Sequence, residues 1–414
     1  MNRPQMLLIT SNYPYAKGEE FLETEIVYLA QKFEVHIVPI SRHAADASHR
    51  PLPAGVSVYP EVMRAIPVGG RKTAQWLLRH PAKIISILKM VGQECGRLRC
   101  RPVLLQEFSR FITLALRLNE VLSRLFVQQR IDVVYSYWLF AGALAAALLR
   151  EKGVAKVAIS RVHRADLYHE HTKLGYLPGQ AVTIAHLDKI FCISQHGVDY
   201  LKNHYPNAQH KIELSRLGVR PAPILNSPST DGRLHLVSCA YLSPVKRIHL
   251  LVKALARCQM PVTWTHLGGG KLEDEIRKMA AGLPENIHWH ITGPVPNYEI
   301  LQFYREHPVD LFINVSASEG LPVSIMEAMS YGIPVAATDV GGSKELVISG
   351  QSGILLPADI TPELLTQTIA DFYQLPISKK QAMRQAAWQV WHDRVNAETQ
   401  YPNFVHRLLS LIQP

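Results

Sequence analysis

The chain is predicted to fold as two α/β units, each built on a doubly wound, Rossmann-like parallel sheet. Three observations carry this expectation. At 414 residues the chain exceeds what one ordinary core organises. Short uninterrupted apolar runs alternate with segments of helical periodicity, the pattern of βα units around a buried parallel sheet. That alternation stops at residues 221–233, PAPILNSPSTDGR, where Pro, Ser and Asn replace periodicity, and then starts again. Two such units are expected to face a central cleft at the carboxyl ends of their strands, where ligands bind in sheets of this kind.

In the first half, residues 6–10, 34–40, 133–136, 157–160 and 189–194 read as buried strands. Residues 21–32 and 140–151 place apolar side chains at helical spacing, and a further helix runs through Leu201. In the second half, HLVSCAYL, VTWTHLGGG, NIHWHIT, residues 311–315, PVAATD and GILLP read as strands. Helices are expected over 248–256, up to Ala281, near 322–331 and, briefly, over 343–347. The last segment, from about Ser378, reads as helical and carries Trp388 and Trp391. The division expected from this is 1–220, a linker at 221–233, 234–385, and a closing helix over 386–414 that returns to the first unit.

Hydrophobic content of 47% with 19% charged residues fits a globular protein. No apolar run approaches the length of about 18 residues that a spanning helix needs. The opening MNRPQMLLITSNYPY turns polar at once and reads as a first strand, not a signal peptide. The five cysteines are scattered; Cys95 and Cys100 lack a second pair at metal-ligand spacing, so reduced thiols and a cytoplasmic location are expected. The net charge of +10 is uneven. Residues 1–215 hold 27 Lys and Arg against 17 Asp and Glu, whereas residues 216–414 hold 17 of each. Residues 61–130 alone carry 13 basic and 4 acidic residues, which points to an electrostatic partner for that segment.

The chemistry concentrates in 319–327, EGLPVSIME. Pro322 suits the first turn of a helix. The N–H groups of Gly320 and Leu321 and the helix start make an anion site ahead of which Glu319 stands. Glu327 lies about a turn and a half into that helix. A carboxylate accepts hydrogen bonds from paired sugar hydroxyls. On the residues alone, Glu319 as a capping acid and Glu327 as a solvated helix residue explain the pattern equally well. Downstream, GIPVAATD is a buried strand and VGGSKE a glycine turn, where paired glycines permit close backbone approach. The Gly268–Gly270 triplet reads better as a tight βα turn than as a cofactor contact.

The run SEGLPVSIMEAMSYGIPVAATDVGGSKELV closely resembles the donor-binding signature of family 4 of the retaining glycosyltransferases, whose fold is GT-B. The resemblance covers most of the second unit and, more weakly, the first. YPYAKGEEFLETEI and CAYLSPVKRIHLLVKAL resemble the bacterial exopolysaccharide branch of that family, the colanic acid and amylovoran enzymes. The resemblance implies a retaining hexosyltransferase that moves a sugar from a UDP- or GDP-sugar to a glycan or polyprenyl-diphosphate-linked acceptor. It implies no cofactor and no metal. Lys246 matches the lysine that neutralises the donor diphosphate, Glu319 the acid near the donor sugar, Glu327 the ribose ligand, and Gly320, Leu321 and Pro322 the phosphate-facing backbone. Pro294 and Val295 lie in the loop that flanks the nucleobase. His163, in RVHRAD, matches a histidine beside the transferred sugar, although a lone histidine is more often structural; Asp166 caps or orients. Gly18 lies in the loop expected over the reacting centre. Tyr241 stands where many members carry arginine, and Arg247 is the expected substitute.

No carboxylate is identified as a nucleophile, so front-face attack assisted by the departing diphosphate is the expected mechanism. A sugar-nucleotide epimerase of the same fold and a non-catalytic subunit of a polysaccharide assembly complex are the alternatives. Residues 103–126 place Arg110, Arg117 and Arg124 seven apart, opposite Leu104, Phe108, Phe111, Ala115, Leu118, Leu122 and Leu125. With a second basic-apolar stretch over 71–91, residues 71–126 are expected either to be ordinary domain helices or to dock on anionic lipid at the inner face of the plasma membrane. Nucleic-acid binding is not expected, because no recognition motif accompanies the charge.

Overall fold

The computed structural model describes residues 3–15, 18–41, 49–66, 70–98 and 101–413. Lys17 and Cys100 therefore lie outside the described residues. The chain divides into two compact units, Met1–Ser215 with Tyr401–Pro414, and Arg216–Gln400.

The first unit is built on seven parallel strands: β1 (Gln5–Thr10), β2 (Glu34–Pro39), β3 (Val56–Val58), β4 (Ile131–Ser136), β5 (Ala155–Val162), β6 (Lys189–Cys192) and β7 (Ile212–Leu214). Their order is β3-β2-β1-β4-β5-β6-β7, so the winding reverses between β1 and β4. Leu8 pairs with Ile37 on one side and Tyr135 on the other. The edge strands β3 and β7 are three residues long, too short for a sequence period to reveal. The helix Ala141–Glu151, AGALAAALLRE, is almost wholly buried. Its small residues let it lie close on the sheet: a Cβ at Gly142 would come 2.9 Å from Ile9 Cγ2.

The second unit holds β8 (Leu234–Cys239), β9 (Val262–Leu267), β10 (Ile287–Ile291), β11 (Leu311–Asn314), β12 (Val335–Thr338) and β13 (Gly353–Leu356). The order β10-β9-β8-β11-β12-β13 is again parallel and reverses between β8 and β11. Two helices that the sequence reading left unassigned, Asn297–Glu306 and Pro362–Gln374, cover the sheet with the expected ones. The stretch 221–233 has neither helix nor strand and is fastened to the second unit. Asn226 donates to the carbonyls of Tyr304 and His307, 2.7 Å each, and accepts from the N–H of Val309.

Three helices between β3 and β4 form the basic region: Gly70–Arg79, Pro81–Leu98 and Pro102–Leu125. Of the arginine stripe expected on the last of these, Arg110 and Arg124 are exposed but the middle residue is not. Arg117 is buried, with its guanidinium over the Trp76 ring and a hydrogen bond to the carbonyl of Lys72. Arg110 and Arg124 pair with Glu107 and Glu120 on their own helix. A period of seven keeps side chains on one helical face, but the helix Gly70–Arg79, through Lys72 and Trp76, packs over its middle.

A buried ion pair organises the first unit. Arg161 donates to Tyr135 Oη at 2.8 Å, to the Ser215 carbonyl at 2.8 Å and to Glu25 Oε1 at 3.2 Å, and lies over the Phe404 ring. Tyr135 donates in turn to Glu25. Burial still pushes the Glu25 carboxyl above its ordinary range, because Arg161 offsets only part of the desolvation. Removing one partner of such a pair costs about 3–5 kcal/mol, whereas replacing both by apolar groups is close to neutral. Glu25→Leu is therefore expected to lower unfolding free energy by that amount in chemical denaturation, and Glu25→Leu with Arg161→Met to restore most of it.

Candidate active site

In the second unit the loops after β8 and β11 meet at the point where the strand order reverses. Pro244–Lys246 is one 3-10 turn, and Arg247 follows with φ 48°, a left-handed residue that opens the helix Ile248–Leu255. Ala317 N–H donates to the Val245 carbonyl at 2.7 Å and ties the two loops. Arg247 strengthens the tie: Nε donates to Val315 O, and its two terminal nitrogens donate to Ala358 O and Ser316 O, at 2.7, 2.9 and 3.0 Å. It is thus a splice between loops, with three of its donors committed to carbonyls.

Lys246 and Glu319 are brought together here. Lys246 Nζ donates to Glu319 Oε1 at 2.6 Å, and Asn314 Nδ2 reaches the same oxygen at 3.3 Å. Glu319 is buried while the Lys246 side chain is a quarter exposed, so the pair opens on the loop side. The helix Val323–Ser330 starts after Pro322 with no side-chain cap, so Glu319 is not a capping acid. Gly320, Leu321 and Pro322 are buried beside it. The turn after β12 fixes this loop. Gly342 N–H donates to Gly320 O at 2.7 Å, and a Cβ at Gly341, whose φ is 55°, would lie 1.9 Å from Glu319 O. Only glycine fits there.

Glu327 is buried, which overturns the solvated alternative. Asn297, the first residue of its helix, donates to Glu327 Oε1 at 2.7 Å. The loop with Pro294 and Val295 leads directly into that helix, so the two sequence features form one structure. Burial raises the Glu327 carboxyl to about 7, with Asn297 pulling the other way. The Gly268–Gly270 turn presses on protein backbone: added Cβ atoms at Gly268 and Gly270 would meet Ala240 O and Leu242 O at 2.3 and 2.5 Å. Tyr241, on the loop so pressed, is 58% exposed.

In the first unit, His163 follows β5 and is buried. Its ring lies 4.5 Å, centroid to centroid, from both Tyr137 and Trp138. Neither ring nitrogen has a hydrogen-bond partner among the described residues. Burial, with Arg161 nearby, holds the imidazole well below its ordinary range, so it is neutral at pH 7. Asp166 orients it by accepting from the N–H of His163 at 2.7 Å and of Leu139 at 2.6 Å, and burial raises that carboxyl to about 7.

The sequence reading quoted Glu19 without giving it a role. At φ 61° it accepts from the N–H groups of Ser11, Asn12 and Tyr13, 2.7 Å each, and from Trp138 Nε1 at 2.6 Å. One carboxylate thereby sets the loop after β1 and the indole that packs on His163. No local pattern signals this, because its partners lie on the loops after two different strands, β1 and β4. Gly18, next to it, has φ 94° and open space where a side chain would be.

With this geometry in hand, the comparisons assign the second unit. Residues 226–390 match the family Glycosyl transferases group 1. That match lies wholly within the second unit. The chain is 29% identical over 278 residues to WcaL of Escherichia coli (strain K12), named as a colanic acid biosynthesis glycosyltransferase, covering 64% of this chain and 67% of that one. It is 26% identical over 240 residues to the amylovoran biosynthesis glycosyltransferase AmsK of Erwinia amylovora, covering 55% and 58%. The chain thus matches about two thirds or less of these relatives' lengths. Among solved structures, Anabaena HepE with UDP-glucose superposes with a TM-score of 0.65 at 17% identity, over 98% of this chain and 99% of that one. Sucrose-phosphate synthase from Thermosynechococcus elongatus gives 0.72 at 15% identity, over 99% and 100%. At such identities the likeness concerns the fold, and the fold is α/β of the GT-B class.

The Glu327 carboxyl gives a pH signature. The folded protein holds its proton up to about pH 7, the unfolded chain only to its ordinary value of 4.5. The resulting stability is complete below pH 4.5 and is lost as pH rises through 7. At about 1.4 kcal/mol per unit this amounts to about 3 kcal/mol. Glu327→Gln should remove that decline from the unfolding of the glycosyltransferase domain, measured by denaturant titration at pH 4.5, 6 and 8.

Proposed function

We propose that the protein is a retaining glycosyltransferase of bacterial exopolysaccharide synthesis. It takes a hexose from a UDP- or GDP-sugar and passes it to a glycan or polyprenyl-diphosphate-linked acceptor. The observation that carries this reading is the Lys246–Glu319 pair at the strand-order reversal of a group 1 glycosyltransferase domain. The names of WcaL and AmsK support the exopolysaccharide assignment, and the UDP-glucose bound to HepE supports the donor class.

On this reading Lys246 offers its charge to the donor diphosphate, together with the N–H groups of Gly320 and Leu321 at the start of Val323–Ser330. Glu327 accepts from the ribose hydroxyls, with Pro294 and Val295 beside the base. Arg247 positions the loops. Glu319 holds Lys246 until the donor arrives and then serves the sugar, and within the first unit His163, with both ring nitrogens unpartnered among the described residues, is the group kept for a sugar. The bond from the anomeric carbon to the β-phosphate oxygen breaks, and the acceptor oxygen bonds on the same face. The acceptor proton passes to the departing diphosphate, so neither a protein nucleophile nor a metal is invoked.

Lys246→Ala and Glu319→Ala should each lower transfer about 10²–10³-fold, the scale of losing one charge-stabilising group. Activity near wild type in both would overturn the site, and product with inverted anomeric configuration by NMR would overturn retention. Ribose hydroxyls donating to Glu327 favour its charged form, so donor binding near pH 7 should release a proton. Calorimetry in buffers of different ionisation enthalpy measures this release, and Glu327→Gln should abolish it.

A further inference from the structure

A cavity of about 460 Å³ opens on the first unit, between the helix Pro81–Leu98, the helix Gln180–His186 and the 3-10 turn Pro206–Lys211. Close-packed helices leave only small voids, whereas ligand sites run from about 300 to 1,000 Å³. Val182 and the Tyr205 ring give the cavity an apolar wall that is continuous with the core. Glu94 also lines it. This is the only Asp or Glu in residues 62–106, and it is buried. Tyr176 Oη donates to its Oε1 at 3.2 Å, while Oε2 has no partner among the described residues. Burial raises this carboxyl, and Arg97 offsets that only in part. Arg97 stands three residues on, yet among the described residues it makes no ion pair with Glu94. Its guanidinium lies instead 5.3 Å from the centroid of the Tyr205 ring.

Lys211 lines the cavity from the turn before β7. Its Nζ donates to the Ala185 carbonyl at 2.7 Å, which leaves it further N–H groups. The Tyr205 hydroxyl is committed to Gln180, so the tyrosine serves the cavity as a wall and not as a hydrogen-bonding group. What remains for a ligand is a guanidinium and an ammonium, which suit an anion, and a carboxylate, which suits a hydroxyl. An inorganic anion would meet the cations but be repelled by Glu94. A neutral sugar would meet Glu94 and leave the cations idle. A phosphate ester of a polyol answers both. We propose that this cavity is a second ligand site, for a sugar phosphate, with the phosphate on Arg97 and Lys211 and a hydroxyl donating to Glu94. The site is built by the first unit alone and does not rest on the donor chemistry of the second.

The test is calorimetric titration of the full chain with glucose 6-phosphate, glucose and inorganic phosphate. Saturable binding is expected for glucose 6-phosphate, with the other two at least about tenfold weaker. Arg97→Ala should weaken glucose 6-phosphate about tenfold or more, the scale of losing a hydrogen bond from a charged group. Arg97 is exposed, so the thermal unfolding curve of that variant should match wild type. Glu94→Gln keeps the side-chain shape and should weaken glucose 6-phosphate to a similar degree without weakening inorganic phosphate. Lys246→Ala, in the second unit, should leave the binding of glucose 6-phosphate as it is. Three results would overturn the proposal. One is no saturable binding to the wild type at millimolar concentration. Another is inorganic phosphate bound as tightly as the ester. The third is undiminished binding in Arg97→Ala or Glu94→Gln; loss in Lys246→Ala would then move the ester to the candidate active site.

Discussion

A parallel sheet whose winding reverses leaves two neighbouring strand ends with loops that run off in opposite directions. The candidate site residues are arranged around that constraint, met once in each unit. Between β8 and β11 the diverging loops carry Lys246 and Glu319 to a 2.6 Å contact. Next to the reversal at β1 and β4, the loops after β1, β4 and β5 gather Glu19, Trp138 and His163. The sheets supply rigid positions, and the loops supply the functional groups.

Loops with so much polar backbone need partners, and buried carboxylates provide them. Glu19 satisfies three consecutive N–H groups and an indole, and Asp166 satisfies two N–H groups from different loops. In the second unit the same work is done from the other side, by the Arg247 guanidinium bonding three carbonyls. Glycine completes the fastening where backbone must touch backbone, at Gly341 against Glu319 and at Gly268 and Gly270 against the loop after β8. His163 and Glu327 are among the side chains less completely satisfied than this network. His163 keeps both ring nitrogens unused, and burial raises the Glu327 carboxyl, which has a single donor in Asn297. Groups left poised in this way cost stability, which fits positions kept for a ligand.

Most strands were legible because a buried parallel strand is a short apolar run, and a run is a local property. The Glu319–Glu327 helix start was legible for the same reason: Pro322, two glutamates and a following strand lie within twenty residues. The edge strands β3 and β7 were not, since three residues carry no period. Nor was the fate of Arg117, whose burial depends on Trp76 and Glu120 of elements docking against it.

Sequence alone determined the βα alternation, its restart after residue 233, the acids and lysine of the second unit, and the uneven charge. These follow from residue order within a window of a few turns. Only the tertiary structure decided which of those residues meet. It placed Lys246 on Glu319 across 73 positions, joined Asn297 to Glu327 across 30, and turned Arg247 from a free cation into a splice. The physical reason is that burial, pairing and exposure are properties of packed neighbours, and a sheet with crossovers makes neighbours of residues far apart in the chain.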